Sequence, residues 1–203
     1  ITLVPYLRAN GEIKTKPTQN SVKDLQRQGV FADVLVCRTT ADVELGQEHR
    51  DKIAMFCGLD NQEDVIHNRD CRTIYEVPLM FAKQNFDAIV LQKLNLKLNK
   101  CDLTAWAQMV DKLCDESLPE ATIAIVGKYA EVADAYISVA EALKHAGIVN
   151  NVRLKTKLVS AEKIEVDGAE VWLKDADGVI VPGGFGSRGF EGKVAAIKYV
   201  REN

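Results

Sequence analysis

Three short stretches gather side chains or backbone able to hold an anion or polarise a carbonyl. The first runs Gly11-Glu12-Ile13-Lys14-Thr15-Lys16-Pro17-Thr18-Gln19. Lys14 and Lys16 offer compact positive charges to phosphate oxygens, Thr15 and Thr18 offer hydroxyls, and Gln19 offers an amide that can read a polar base edge. Pro17 restricts the backbone and so lowers the ordering entropy lost on binding. The same residue types are common in solvated turns, and spacing alone favours a polar turn ahead of a helix over a binding loop.

The second stretch, Gly183-Gly184-Phe185-Gly186-Ser187-Arg188-Gly189, follows an apolar run ending at Val181. Gly184, Gly186 and Gly189 fit G-x-G-x-x-G, which would make the chain an NAD-binding oxidoreductase built on Gly184–Gly189. That fingerprint wants its glycines to open directly into a helix, with an acidic residue about 20 positions later. Here Pro182 precedes the glycines, the next helical pattern is expected only from about Lys193, and the sequence stops at Asn203. Glycine also lets a peptide plane turn its N–H outward, so the same loop suits stabilisation of a developing oxyanion. A plain structural turn accounts for the pattern equally well, and from the residues the three readings stand side by side.

The third stretch is Val126-Gly127-Lys128-Tyr129, with Asp134-Ala135-Tyr136 beyond it. It is superficially similar to a Walker loop, but the earlier glycine is missing and Tyr129 replaces Ser or Thr, so no phosphate cradle follows. Lys128, expected at the carboxyl end of a strand, is still placed to line a crevice. Nucleophiles are poor: Cys37 and Cys57 lie in apolar runs where a buried, inert thiol is expected. His49 and His67 read as surface residues, and His145 as a residue near a helix C-terminus, where a cation suits the dipole. No metal constellation emerges.

Short β-rich runs alternate with helix-period segments, the pattern of α/β layers around a largely parallel sheet. Thr2–Tyr6 reads as a strand, 9–19 as a polar loop, and a short helix starts at Ser21 and is closed by Gly29. Strands are expected over 33–37 and 64–66, a helix over 47–56 with Ile53 and Phe56 inward, and further helical character over 73–84 and 87–96. The charged segment 99–119 carries one amphipathic helix around 103–113, with Trp106, Met109, Val110 and Leu113 on one face, and reads as a linker. A fresh βαβ series then begins: strand 121–126, helix 134–145, strand 152–159, strand 178–181 and a helix from about Lys193. The expected organisation is therefore parts of two open, mostly parallel α/β sheet domains, 1–98 and 121–203, joined by a helical linker at 99–120.

Composition bounds these readings. The 203 residues are 47% hydrophobic and 27% charged, close to a globular average and unlike collagen-like, disordered or disulfide-scaffold chains. With 26 Lys+Arg against 29 Asp+Glu, net charge -3, no global field draws the chain to nucleic acid or an anionic membrane, so anion binding must be local. No apolar run reaches the roughly 18 residues of a membrane helix. Five widely spaced cysteines without a C-x-x-C pair argue against a zinc site or a disulfide frame and for a reducing compartment, the cytoplasm. A start at Ile1 without Met or signal peptide, and a stop inside a helical pattern, read as cut ends.

Taken in order, Gly11–Ser21, Cys37-Arg38, Lys52-Ile53-Ala54-Met55-Phe56-Cys57, Thr73-Ile74-Tyr75-Glu76-Val77-Pro78, Val126-Gly127-Lys128-Tyr129 and Val181–Gly192 resemble the CTP synthase family over nearly the whole chain. Lys-Thr-Lys-Pro-Thr-Gln followed far along by Pro-Gly-Gly-Phe-Gly-Ser-Arg-Gly-Phe-Glu-Gly-Lys carries most of the specificity. The resemblance implies ATP-dependent amination of UTP to CTP with ammonia from glutamine, Mg²⁺ accompanying ATP, GTP as allosteric activator, and a homotetramer. It implies that Lys14, Thr15, Lys16, Pro17, Thr18, Gln19 and Lys52 contact UTP or inhibitory CTP. Arg69, Asp70 and Cys71 would lie against the ATP adenine, with Arg38 assisting. Gly183 and Gly184 would form the oxyanion hole, Gly184 would contact glutamine, and Arg188 and Gly189 would couple to GTP. The family's P-loop, Mg²⁺ carboxylates and Cys-His-Glu triad have no counterpart in the sequence, so these 203 residues alone are expected to be inactive. A non-catalytic module that senses CTP or UTP through the first stretch is the alternative of a different class.

Overall fold

The computed structural model describes residues 1–40, 43–99, 101–132 and 134–203. It divides into two compact units, 1–110 and 111–203.

In the first unit, β1 (Thr2–Leu3) is followed by a small antiparallel hairpin of β2 (Tyr6–Leu7) and β3 (Glu12–Ile13), whose turn places Gly11 at φ +66°. The expected strand over Thr2–Tyr6 is thus broken in two at Val4-Pro5, since Pro5 has no N–H to give to a ladder. The expected loop 9–19 is also shorter than it reads. Helix α1 (Lys16–Arg27) begins five residues before Ser21, because Pro17 sits in its first turn, where a missing N–H costs nothing and a fixed φ suits the helix. Gly29, at φ +79°, ends that turn as expected.

Strand β4 (Leu35–Thr39) lies between β1 and β5 (Val65–Arg69), both parallel to it, with Thr2 opposite Cys37 and Leu35 opposite Val65. Helix α2 (Gln47–Cys57) crosses between β4 and β5 and ends at Gly58 in the left-handed region. Val4, Val22, Leu35, Ile53 and Val65 form the shared core. Ile53 is inward, but Phe56 is not: it is 48% exposed, at the margin of the face that Ile53, Ala54 and Cys57 bury. After β5 come α3 (Val77–Ala82), α4 (Phe86–Lys93) and α5 (Thr104–Leu113). The amphipathic face of α5 is used as expected: Val110 is buried and the Trp106 indole N–H donates to the Tyr75 carbonyl at 2.7 Å. Lys100, inside the charged segment, lies outside the described residues.

The second unit is a parallel sheet of order β7-β6-β8, formed by β6 (Glu120–Gly127), β7 (Arg153–Ser160) and β8 (Gly178–Ile180). Helix α6 (Ile137–Asn150) connects β6 to β7, starting three residues later than read because Asp134–Tyr136 form a turn. Helices α7 (Ala161–Asp167) and α8 (Ala169–Leu173) lead to β8, on the far side of β6. Helix α9 (Phe190–Glu202) starts at Phe190, not near Lys193, with Gly189 at φ +70° as its N-cap. Val126, Val159, Ile164, Leu173 and Ala196 form this core. No helix among the described residues is long and apolar enough to cross a membrane.

Candidate functional site

Ligands of open parallel sheets gather at the carboxyl ends of the strands, and both units place their chemistry-bearing residues there. In the first unit, β4 ends in Arg38 and Thr39 and β5 in Asn68 and Arg69. Arg38, Asn68 and Arg69, with Asp70, Cys71 and the residues Thr73, Ile74 and Val77, line a cleft of about 440 Å³. Arg38 donates to Asp70 Oδ1 through Nε at 3.3 Å and through Nη2 at 3.0 Å, fixing one wall. The Cys71 thiol donates to the Arg69 carbonyl at 3.5 Å, and burial together with the neighbouring carboxylates raises its pKa, which makes it a lining group rather than a nucleophile. Cys37 is more inert still, its pKa pushed up to about 12 by desolvation.

Beneath the cleft lies a buried polar knot that sequence reading did not find. His67, which reads as a surface residue in the sequence, is 3% exposed, because β5 is covered where its first three residues enter the core. Its Nε2 lies 2.7 Å from the Thr39 hydroxyl, and Gln84 clasps its backbone, accepting from His67 N–H and donating to His67 C=O, both at 2.8 Å. Its Nδ1 faces Glu44 Oε1 at 3.5 Å, and the same carboxylate approaches Arg69 at 3.8 Å. Desolvation pulls the His67 pKa down, opposed by Glu44 and reinforced by Arg50 and Arg69.

The Lys14–Gln19 stretch divides by role. Lys16 is exposed and Lys14 half-exposed, while Thr15, Thr18 and Gln19 are buried. The Thr18 hydroxyl donates to the Leu3 carbonyl at 2.9 Å, and Gln19 donates its amide to the Thr15 hydroxyl at 3.2 Å. The polar atoms free to meet a ligand are therefore chiefly the ammonium groups. Lys14 pairs with Glu12 at 2.7 Å, and the Glu12 carboxyl is held below its usual range by that hydrogen bond and charge and additionally by Lys52. Lys52 thus acts on the same carboxylate as Lys14, and the two cations share one electrostatic neighbourhood.

In the second unit the glycine stretch leaves the carboxyl end of β8 beside that of β6. Lys128, just past β6, donates to the Gly186 carbonyl at 2.8 Å and also to the Phe185 carbonyl, and Lys193 donates to the Pro182 carbonyl at 2.8 Å. Arg188 stacks over the Tyr129 ring at 5.4 Å and lies 3.3 Å from Glu162. Among the described residues, the N–H groups of Gly183 and Gly184 meet no hydrogen-bond acceptor. Three carbonyls of this loop, those of Pro182, Phe185 and Gly186, are thus held while two glycine N–H groups stay open. No group of three or more His, Cys, Asp or Glu able to hold a metal occurs among the described residues.

Comparison with known proteins agrees with this two-part layout. The family description "CTP synthase N-terminus" matches residues 1–96, and "Glutamine amidotransferase class-I" matches 131–203. A curated CTP synthase of Clostridium beijerinckii is 50% identical over 203 residues, covering 100% of this chain and 37% of the relative. CTP synthases of Caldanaerobacter subterraneus (50% over 205 residues) and Streptococcus pyogenes (50% over 203) cover the same shares. The chain therefore spans 37% of the length of these curated relatives. The two family descriptions fall in sequence on its two sheets, and the chain is similar to these CTP synthases from end to end.

Proposed function

We propose that this chain works within an enzyme that aminates UTP to CTP. The γ-phosphoryl group of ATP would pass to the uracil O4, ammonia from glutamine hydrolysis would add at C4, and phosphate would leave, giving CTP, ADP and phosphate. The observation that carries the reading is identity of 50% with curated CTP synthases across all 203 residues.

The residues fit divided roles. Lys14, Lys16 and Lys52 would neutralise the triphosphate that a net-acidic chain otherwise repels. Thr18 and Gln19, donating to the Leu3 carbonyl and the Thr15 hydroxyl, would hold the start of α1 in shape around Pro17, with Thr15 as the acceptor for Gln19. The cleft of Arg38, Arg69, Asp70 and Cys71 would take the adenine of ATP, its guanidinium planes suited to stacking. Gly183 and Gly184 would offer their open N–H groups to the oxyanion formed when the glutamine γ-carbonyl is attacked, Gly184 contacting the substrate. Arg188 and Gly189 would transmit the effect of GTP. The reading includes Mg²⁺ with ATP, but the described residues hold no fitting ligand cluster, so no step is assigned to it here. It also includes a homotetramer working in the cytoplasm.

Calorimetric titration of the chain with UTP, CTP and UMP tests the first half. Saturable heat from the two triphosphates, weaker with UMP and lost in the double variant Lys14→Ala/Lys52→Ala, is expected. Equal heats for UMP and UTP would count against a triphosphate site at these lysines. The sensing-module and NAD-oxidoreductase readings draw no support from the family matches.

A further inference from the structure

Lys193 is a cation in an unfavourable place. It lies in the first turn of α9, where the helix dipole opposes positive charge, and it is 9% exposed. Among the described residues no carboxylate pairs with it; its ammonium donates to the Pro182 carbonyl at 2.8 Å. A buried ammonium needs such an acceptor, and a backbone carbonyl held by it cannot rotate freely.

The peptide geometry turns that contact into a direction. No peptide bond among the described residues is cis, so the Pro182 carbonyl and the Gly183 N–H, which belong to one peptide plane, point opposite ways. With the carbonyl fastened to Lys193, the Gly183 N–H faces away from the ammonium and from the core behind it. A Cβ on Gly184 would stand 3.3 Å from Lys193 Nζ, so the next residue also packs on the same ammonium, whereas a Cβ on Gly183 would meet nothing within 4 Å.

We propose that Lys193 is the positioning residue of the glycine loop, fixing the Pro182–Gly183 peptide so that the Gly183 N–H is presented, before any ligand arrives, to the oxygen of a substrate carbonyl. The substrate class rests on the amidotransferase reading: a carboxamide whose carbonyl oxygen gains negative charge. Lys193 touches neither substrate nor reacting atoms in this role. It removes the reorganisation that a mobile glycine loop would otherwise undergo at the moment charge develops.

Nuclear magnetic resonance on the full chain tests this directly. In the unsubstituted protein the Lys193 ammonium should give its own slowly exchanging resonance, and the Gly183 amide should have an order parameter near about 0.85, as in rigid backbone. Lys193→Met, which keeps the aliphatic stem, should drop Gly183 below about 0.6. Leu173→Ala, which opens the same hydrophobic core, should lower the unfolding midpoint while leaving Gly183 rigid, separating loop positioning from general stability. An unchanged Gly183 order parameter in Lys193→Met overturns the proposal, and so does an ammonium that exchanges as fast as those of exposed lysines, a result available even if the variant fails to fold. Failure of the amidotransferase reading shows elsewhere: with a rigid, Lys193-dependent loop, absence of any Gly183 or Gly184 shift on adding L-glutamine would count against the substrate and leave the positioning intact.

Discussion

The fully buried Thr18 hydroxyl donates to the carbonyl of Leu3 at 2.9 Å, fastening the first turn of α1 to the edge strand β1. Leu3 otherwise presents that carbonyl at a strand end, and a buried acceptor left without a donor is destabilising. Thr18→Val, which keeps the shape and removes the donor, should therefore lower stability by about 1–2 kcal/mol, while Thr18→Ser should retain most of it. Urea unfolding of both variants checks this, and equal midpoints for the valine variant and the unsubstituted chain would contradict it.

Glu12 occupies one of the cations proposed to meet a triphosphate. Its carboxylate contacts Lys14 at 2.7 Å and feels Lys52 as well. Both partners are largely exposed, so the pair itself adds little stability, but its negative charge competes with phosphate for the ammonium groups. Glu12→Gln should tighten UTP or CTP binding by about two- to fivefold at low salt, with the gain shrinking as ionic strength rises. Calorimetry at two salt concentrations decides it; weaker binding in the glutamine variant would mean that Glu12 assists the nucleotide.

His67 makes the fold sensitive to acid. Desolvation lowers its folded pKa below the ordinary value, so between the two the unfolded chain binds the proton more readily. The stability conferred by the neutral ring is complete above the unfolded value of about 6.5 and is lost as pH falls through it towards the folded pKa. The Thr39 hydroxyl at Nε2, and Glu44, Arg50 and Arg69 around the ring, are the groups whose balance sets that window. An imidazole titration followed by proton resonance should give a midpoint below about 6.5, and unfolding should come earlier at about pH 5.5 than at about pH 7.5. A midpoint at or above the ordinary value would falsify the desolvation account.

These relationships differ in how far the sequence announces them. The apolar run through Ile125 and Val126 and the turn at Gly29 are local signals, and β6 and the end of α1 follow from them closely. Pro17 misleads because the same ring that breaks a helix interior is welcome in its first turn, and only the neighbours decide which applies. His67 reads as a polar surface residue because its burial depends on Gln84 and Thr39, brought to it by other elements. For the candidate site, the glycine loop and the Lys14–Gln19 run are visible as motifs. Lys193 is not: a lysine near a helix start carries no mark of the Pro182 carbonyl it will meet, and the cleft between β4 and β5 exists only once the strands pair in register.

Two glycines of the second unit should differ in how far the same added methyl group destabilises the fold. Gly192 lies where α9 crosses α7, and a Cβ there would stand 1.9 Å from the Ala161 carbonyl oxygen, a backbone atom that cannot swing aside. Its N–H also donates to Glu165 at 3.1 Å, which ties the two helices at that point. Gly192→Ala must push the helices apart and loosen the packing of Ile164 and Ala196 between them, so a loss of about 2–3 kcal/mol or more is expected. Gly183 has open space around its Cβ position and no positive φ, so Gly183→Ala should leave the unfolding free energy within about 0.5 kcal/mol of the unsubstituted chain. Thermal and urea unfolding of both variants give the comparison. Similar losses at the two positions would mean that the glycine loop is packed far more tightly than its open surroundings indicate, and a silent Gly192→Ala would mean that α7 and α9 do not approach so closely in solution.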